Sequence, residues 1–144
     1  GRVSVTKVGE SEPEPAGDGC RPLGGVRALD LTRVLAGPTC GRTLASHGAD
    51  VLLLNAPSAG NVPAFVLDTS HGKRSAFLDI DTDDGRDTLH SLVAGCDVFT
   101  QGYRSGALER RGFGVDDVIA ARPGAIYVTI TLRLVYGIVR ELRS

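Results

Sequence analysis

Three segments combine residue types that can bind a phosphorylated ligand. Arg33-Val34-Leu35-Ala36-Gly37-Pro38 follows VRALDL (26–31), an alternating, β-prone run. The chain therefore turns at a strand end through its smallest, most backbone-exposed residues. Taken alone this is a tight βα turn; the alternative is close backbone approach to a nucleotide, although the segment is neither GxGxxG nor a Walker loop. HGKRS (71–75) sets Lys73 and Arg74 side by side next to a glycine, just before an apolar run read as a buried strand. Lys as a point charge and Arg as a fork suit phosphate or pyrophosphate, whereas a solvated charge pair is the plainer alternative. GYRSGALERRG (102–112) offers Tyr103 for stacking on a base and Arg104, Arg110 and Arg111 as cations near a helix start. For any one of these arginines a solvated helix face is the simpler reading.

Other groupings do not hold together. DIDTDDG (79–85) resembles a calcium loop, but its glycine falls one place late and the twelfth position is His90 rather than Glu. His47, His71 and His90 have no GxSxG elbow or other cue that would build a triad. His47 is expected near a helix end and His90 on a helix surface. Cys20, Cys40 and Cys96 lie far apart, outside any CxxC or Cys/His spacing, so no metal site is expected. An odd, scattered set suits a reducing cytosol, with Cys40 and Cys96 packing as small apolar residues.

The elements that must position these segments follow from periodicity. Residues 3–8 alternate as a strand would, and SEPEPAGDGCRP (11–22) reads as a linker. VRALDL is the first strand of the compact part. Pro38 suits the first turn of a helix to His47, with Gly48 as its stop. ADVLLLN (49–55) is apolar enough to be a parallel strand buried on both faces. APSAGNVPA is read as loop, and SAFLDI (75–80) as the third strand. Asp81 or Thr82 can cap a helix over 83–94, where Leu89, Leu92 and Val93 recur at helical spacing. CDVFTQ (96–101) is a fourth strand, followed by short helices near 106–111 and 115–121; AIYVTITL (125–132) is a fifth strand. Alternating strands and helices imply an α/β fold, a mostly parallel Rossmann-like sheet with flanking helices. In such sheets ligands sit beyond the carboxyl ends of the strands.

Composition narrows the classes of function. The 144 residues amount to one domain, and 42% hydrophobic with 23% charged residues is ordinary for a globular protein. A net charge of −1 argues against a general nucleic-acid or membrane-surface binder, and no run approaches a membrane span. The sequence contains no methionine, and its opening strand-like piece has no evident partner, so it is read as a segment of a longer or processed polypeptide.

Together the three segments resemble the class III CoA-transferase family of the CaiB/BaiF type, which includes formyl-CoA and carnitine-CoA transferases and α-methylacyl-CoA racemases. PLGGVRALDLTRVLAGP is similar to the family's opening "PL-GVRVLDLTRVLAGP", GKRSAFLDI to "GKRSVALDL", and CDVFTQGYRSGALERRGF to "ADVFIENFRPGVLERLGL". The likeness runs in order from about Pro22 to Thr131. Residues 23–144 are then the incomplete N-terminal portion of a larger fold, usually an interlocked homodimer. Residues 1–22 are a linker and stray strand, read as the end of a preceding half.

The resemblance implies coenzyme A as ligand, with acyl-CoA and a carboxylic acid as substrates of the intact parent, and a cytoplasmic setting. It places Val34, Leu35 and Ala36 against the coenzyme, Lys73 and Arg74 on the family's basic pair, Tyr103 at its aromatic contact and Arg110 at the phosphate end. Departures accompany it. Leu53 and Asn55 replace the family's lysine and glutamate, Ala56 an arginine, and Gly102 an asparagine. After AIYVTIT the chain reads LRLVYGIVRELRS, and no residue matches the family's aspartate nucleophile. The carboxylate that would form the acyl anhydride is thus unassigned, and the chain alone is expected to bind without turning over. Two readings stand beside this one: the racemase branch of the same family, and a degenerate, non-catalytic remnant.

Overall fold

The structure, a computed structural model of the chain, describes residues 3–14, 20–57, 60 and 63–130. In chain order the elements are β1 (Arg27–Leu31), α1 (Ala36–Ser46), β2 (Asp50–Asn55), α2 (Pro63–Thr69), β3 (Arg74–Phe77), α3 (Asp83–Val93), β4 (Val98–Gln101), a 3₁₀ turn (Glu109–Arg111), α4 (Val115–Ala121) and β5 (Ile126–Thr129). The strands form one sheet in the order β3-β2-β1-β4-β5, with every pairing parallel. The Rossmann-like α/β expectation is met.

Period-two alternation in β1 sends its residues to two different layers. Leu29 and Leu31 join Phe99, Leu89, Val93, Phe113 and Val118 in the larger core, beneath α3 and α4. Ala28 faces α1 with Ala45, Ala49, Val51 and Val98, in a thinner layer of small residues. Large side chains thus hold one face, while on the other a helix sits close to the strands.

Several boundaries differ from the sequence reading. Residues 3–14 carry no strand, so the alternation at 3–8 does not form a ladder. Alternation alone supplies no pairing partner, and this segment is instead tied down by side chains: Glu14 accepts two hydrogen bonds from Arg122, at 2.9 and 2.6 Å. Helix α2 was not expected; its first residue, Pro63, is the N1 signal that the loop-like composition around it concealed. Strand β3 is shorter than 75–80 and is an exposed edge rather than a buried strand. The helix expected near 106–111 is only the 3₁₀ turn, closed by Gly112 at φ 79°. Of the fifth strand, residues 131 and 132 lie outside the described residues.

Candidate functional site

The connections from β1 and β4, neighbours at the centre of the sheet, run to opposite sides. β1 leads through α1 to β2, and β4 through α4 to β5. A crevice opens at such a switch point beyond the carboxyl ends. The Thr32–Leu35 connection leaves β1 on one side of this point, and Gly102 begins the connection from β4 on the other. The two walls nearly touch, since a Cβ on Gly102 would come 3.7 Å from the Thr32 Cα.

The first wall is exposed main chain leading into a helix. Arg33, Val34, Leu35 and Ala36 are all exposed, whereas Gly37 and Pro38 are buried under them. Val34 has φ 74°, a left-handed conformation that is strained for a β-branched residue. Helix α1 then starts at Ala36 with no side chain capping it and no acidic residue in its first turn. Its N–H groups and the positive end of its dipole are therefore available to an anion.

Beneath this wall lies a buried polar network that sequence reasoning missed. Asp30 is fully buried. One of its oxygens accepts from Lys73 Nζ at 2.7 Å; the other accepts from the Thr32 amide at 3.0 Å, from the Thr32 hydroxyl and from Thr100 Oγ1 at 3.4 Å. Lys73 also donates to the Pro38 carbonyl at 2.7 Å, and its side chain has no solvent exposure. The signal was available in VRALDL: an aspartate in a central parallel strand must face a packed layer and find a partner there. Nearby, burial first and then the Asp30 charge push the Cys40 thiol above its ordinary pKa.

The second wall is set by Gln101. Its Nε2 donates to Thr129 at 3.1 Å and its Oε1 accepts from the Tyr103 amide at 2.8 Å, which turns the chain at the end of β4. The Tyr103 ring packs on the larger core, and burial raises its phenol pKa despite the nearby Arg111 and Arg33. Arg104 and Arg110 are exposed.

The sequence-derived site residues separate into groups. Val34, Leu35, Ala36 and Tyr103 border the crevice, and Arg110 follows on the Gly102–Arg111 segment. Lys73 lies beneath the first wall with its ammonium turned inward, and Arg74 pairs with Asp50 from Nε at 3.0 Å, at the edge strand. Ion pairing distinguishes the cations. Lys7, Lys73, Arg74, Arg42, Arg86, Arg111 and Arg122 each meet a carboxylate, whereas among the described residues Arg21, Arg27, Arg33, Arg104 and Arg110 form no ion pair. Arg33 donates only to the Gly60 carbonyl, at 2.7 Å.

Among the described residues, hollows lie at both ends of the sheet. One of about 60 Å³ lies against the loop, lined by Thr32, Val34, Asn55 and Thr69 among others. The other, about 460 Å³, lies at the amino ends of the strands beside Arg27, Asp97 and Arg122. The second is larger but at the wrong end of the sheet for helix N-termini to contribute. Two of the four acids of the calcium-like loop are engaged by arginines, Asp81 by Arg111 and Asp83 by Arg86. His90 stacks on Phe113 with ring centroids 4.4 Å apart, and His47 ends α1.

A parallel sheet with an exposed loop and an uncapped helix N-terminus at its switch point defines an α/β domain of the Rossmann-like kind. Residues 23–136 match the model of CoA-transferase family III, and the chain belongs to that family. It is 36% identical over 143 residues to human succinyl-CoA:glutarate CoA-transferase, covering 91% of this chain and 33% of that protein. It is 34% identical to formyl-CoA:oxalate CoA-transferase of Afipia carboxidovorans, covering 76% of this chain and 29% of the relative. Among solved structures it is similar to a CAIB/BAIF family protein from Brucella suis, with TM-score 0.71 and 33% identity over 77% of this chain and 33% of the other. The chain thus spans about a third of the length of these relatives. No helix among the described residues is long and apolar enough to cross a membrane.

Proposed function

We propose that these residues are the CoA-binding N-terminal part of a class III CoA-transferase, whose parent reaction moves CoA from an acyl-CoA thioester to a free carboxylic acid. The observation that carries this reading is the switch point at the carboxyl ends of the strands, where an exposed loop and an uncapped helix start lie beside the turn at Gly102. Coenzyme A bears a pyrophosphate and a 3′-phosphate, so it needs cations at more than one point. The backbone of Val34, Leu35 and Ala36 approaches the ligand, Tyr103 packs against it, and Arg110 serves its phosphates; Arg74, paired with Asp50 at the amino start of the edge strand, stays outside this set. The names of the relatives, each a transferase between carboxylic acids, favour this branch over a racemase.

Acyl transfer also needs a carboxylate that can attack. Asp30 is directly under the loop, but it is buried with both oxygens engaged by donors. We assign it no nucleophilic role, and read these residues as binding CoA without turning it over. The parent is proposed to be a homo-oligomer in the cytoplasm. Calorimetric titration with CoA tests the binding. Arg110→Ala removes a charge-assisted contact, a loss of about 1.5–3 kcal/mol or at least tenfold in Kd. Dephospho-CoA, lacking the 3′-phosphate, should reproduce that loss and make the substitution nearly silent. Equal affinities for CoA in wild type and variant would remove Arg110 from the site.

A further inference from the structure

We propose that the buried Asp30–Lys73 pair fixes the ligand-facing loop, so that Lys73 acts on binding through Val34–Ala36 and not by touching the ligand. The naming of the ligand as CoA rests on the function proposed above; the mechanical role of the pair does not.

The pair joins pieces of chain that nothing else in the network joins. Asp30 is the last residue but one of β1, Lys73 immediately precedes β3, Pro38 is in the first turn of α1, and Thr100 belongs to β4. Through Asp30 the network holds both the amide and the hydroxyl of Thr32, the first residue of the loop. Through Lys73 it holds the carbonyl of Pro38, three residues beyond Leu35. The exposed stretch is therefore clamped at both ends from below. Helix α1 is drawn down without intervening side chains. A Cβ on Gly37 would overlap Thr32, and one on Gly41 would overlap the Asp30 carboxylate and lie 2.9 Å from Lys73 Nζ. Such a clamp explains how exposed Val34 is kept at φ 74°, since a strained residue persists only where its surroundings fix it. A buried ion pair contributes little net stability compared with apolar replacements, so positional control is a better reason for its presence.

The test uses the 144-residue chain and the double variant Asp30→Leu/Lys73→Met. Replacing both charges by apolar groups is commonly tolerated by the fold, yet it removes the anchors of Thr32 and Pro38. Amide exchange at Val34–Gly37 should quicken at least tenfold while β1 and β4 stay protected. CoA affinity should fall about tenfold, with the same dependence on ionic strength as wild type. Unchanged loop exchange in the folded variant would overturn the proposal. So would an affinity loss accompanied by a flatter salt dependence, the mark of a lost direct phosphate contact.

Should the double variant fail to fold, the side-chain ¹⁵N spectrum of the wild type decides the matter. A Lys73 ammonium signal that exchanges slowly with water and is unmoved by saturating CoA supports the clamp. One that exchanges as fast as a surface lysine, or shifts strongly with CoA, refutes it. A wild-type chain that ignores CoA would remove the ligand assignment, while loop exchange would still decide the role of the pair.

Discussion

At the scale of single residues, the cations among the described residues are of two kinds, those paired with a carboxylate and those in no ion pair. Arg122 is of the first kind: it donates to Glu14 and, at 3.0 Å, to Asp97, whose other oxygen accepts from the Arg27 amide at 2.8 Å. Burial alone would raise the Asp97 carboxyl, but the Arg27 N–H and the Arg122 guanidinium outweigh it and hold the pKa below its ordinary value of 3.8. The sign of the pH effect follows. The unfolded carboxyl binds its proton more tightly than the folded one, so this stabilisation is present in full above about pH 4 and is lost as pH falls through the folded pKa. Asp97→Asn should lower Tm at pH 6, and the gap from wild type should close as the melting series approaches pH 2.5. A gap that widened in acid would contradict the assignment.

At the scale of elements, the helix α3 terminus allows a direct comparison. The sequence left Asp81 and Thr82 as alternative caps. Thr82 takes the role, accepting from the Gly85 amide at 3.1 Å, while Asp81 turns to Arg111, whose Nε donates to it at 2.8 Å. Thr82→Ala should cost about 1 kcal/mol in denaturant melts, and Asp81→Ala, which loses a largely exposed ion pair, less than about 1 kcal/mol. The reverse order would mean that the capping assignment is wrong. Legibility in the sequence had the same local character. Strands β1, β2, β4 and β5 and helices α1, α3 and α4 could be read because apolar spacing and caps lie within a few residues of one another. Helix α2 was hidden by a short span and its Pro-rich approach. The exposure of β3 depends on its place at the sheet edge, which only the assembled order determines. The loop at 33–38 was legible as a tight turn from its small residues after a strand, and only the family resemblance pointed from it to a ligand. The inward turn of Lys73 was not, because its partner is 43 residues away in sequence.

At the scale of the whole molecule, the sheet formed by the described residues has two covered faces, with β3 and β5 as its outer strands. Strand β3 is exposed along its length, with Phe77 at 73% exposure, and Ile126 of the other edge strand is at 61%. Leu67 of α2 is also exposed, at 74%. Unpaired edge groups beside apolar side chains favour association with other chains. Sedimentation of the isolated chain should therefore show concentration-dependent self-association, and Phe77→Lys should reduce it. A monodisperse monomer at all concentrations would contradict this expectation. The same open architecture leaves the switch-point crevice accessible. The most direct test of the central claim is an amide-resolved NMR titration of the chain with CoA. Saturable shifts at Ala36, Tyr103 and Arg110, with residues around Arg27 and Arg122 unmoved, are the predicted result. Shifts confined to the amino ends of the strands, or none in a well-dispersed spectrum, would contradict it.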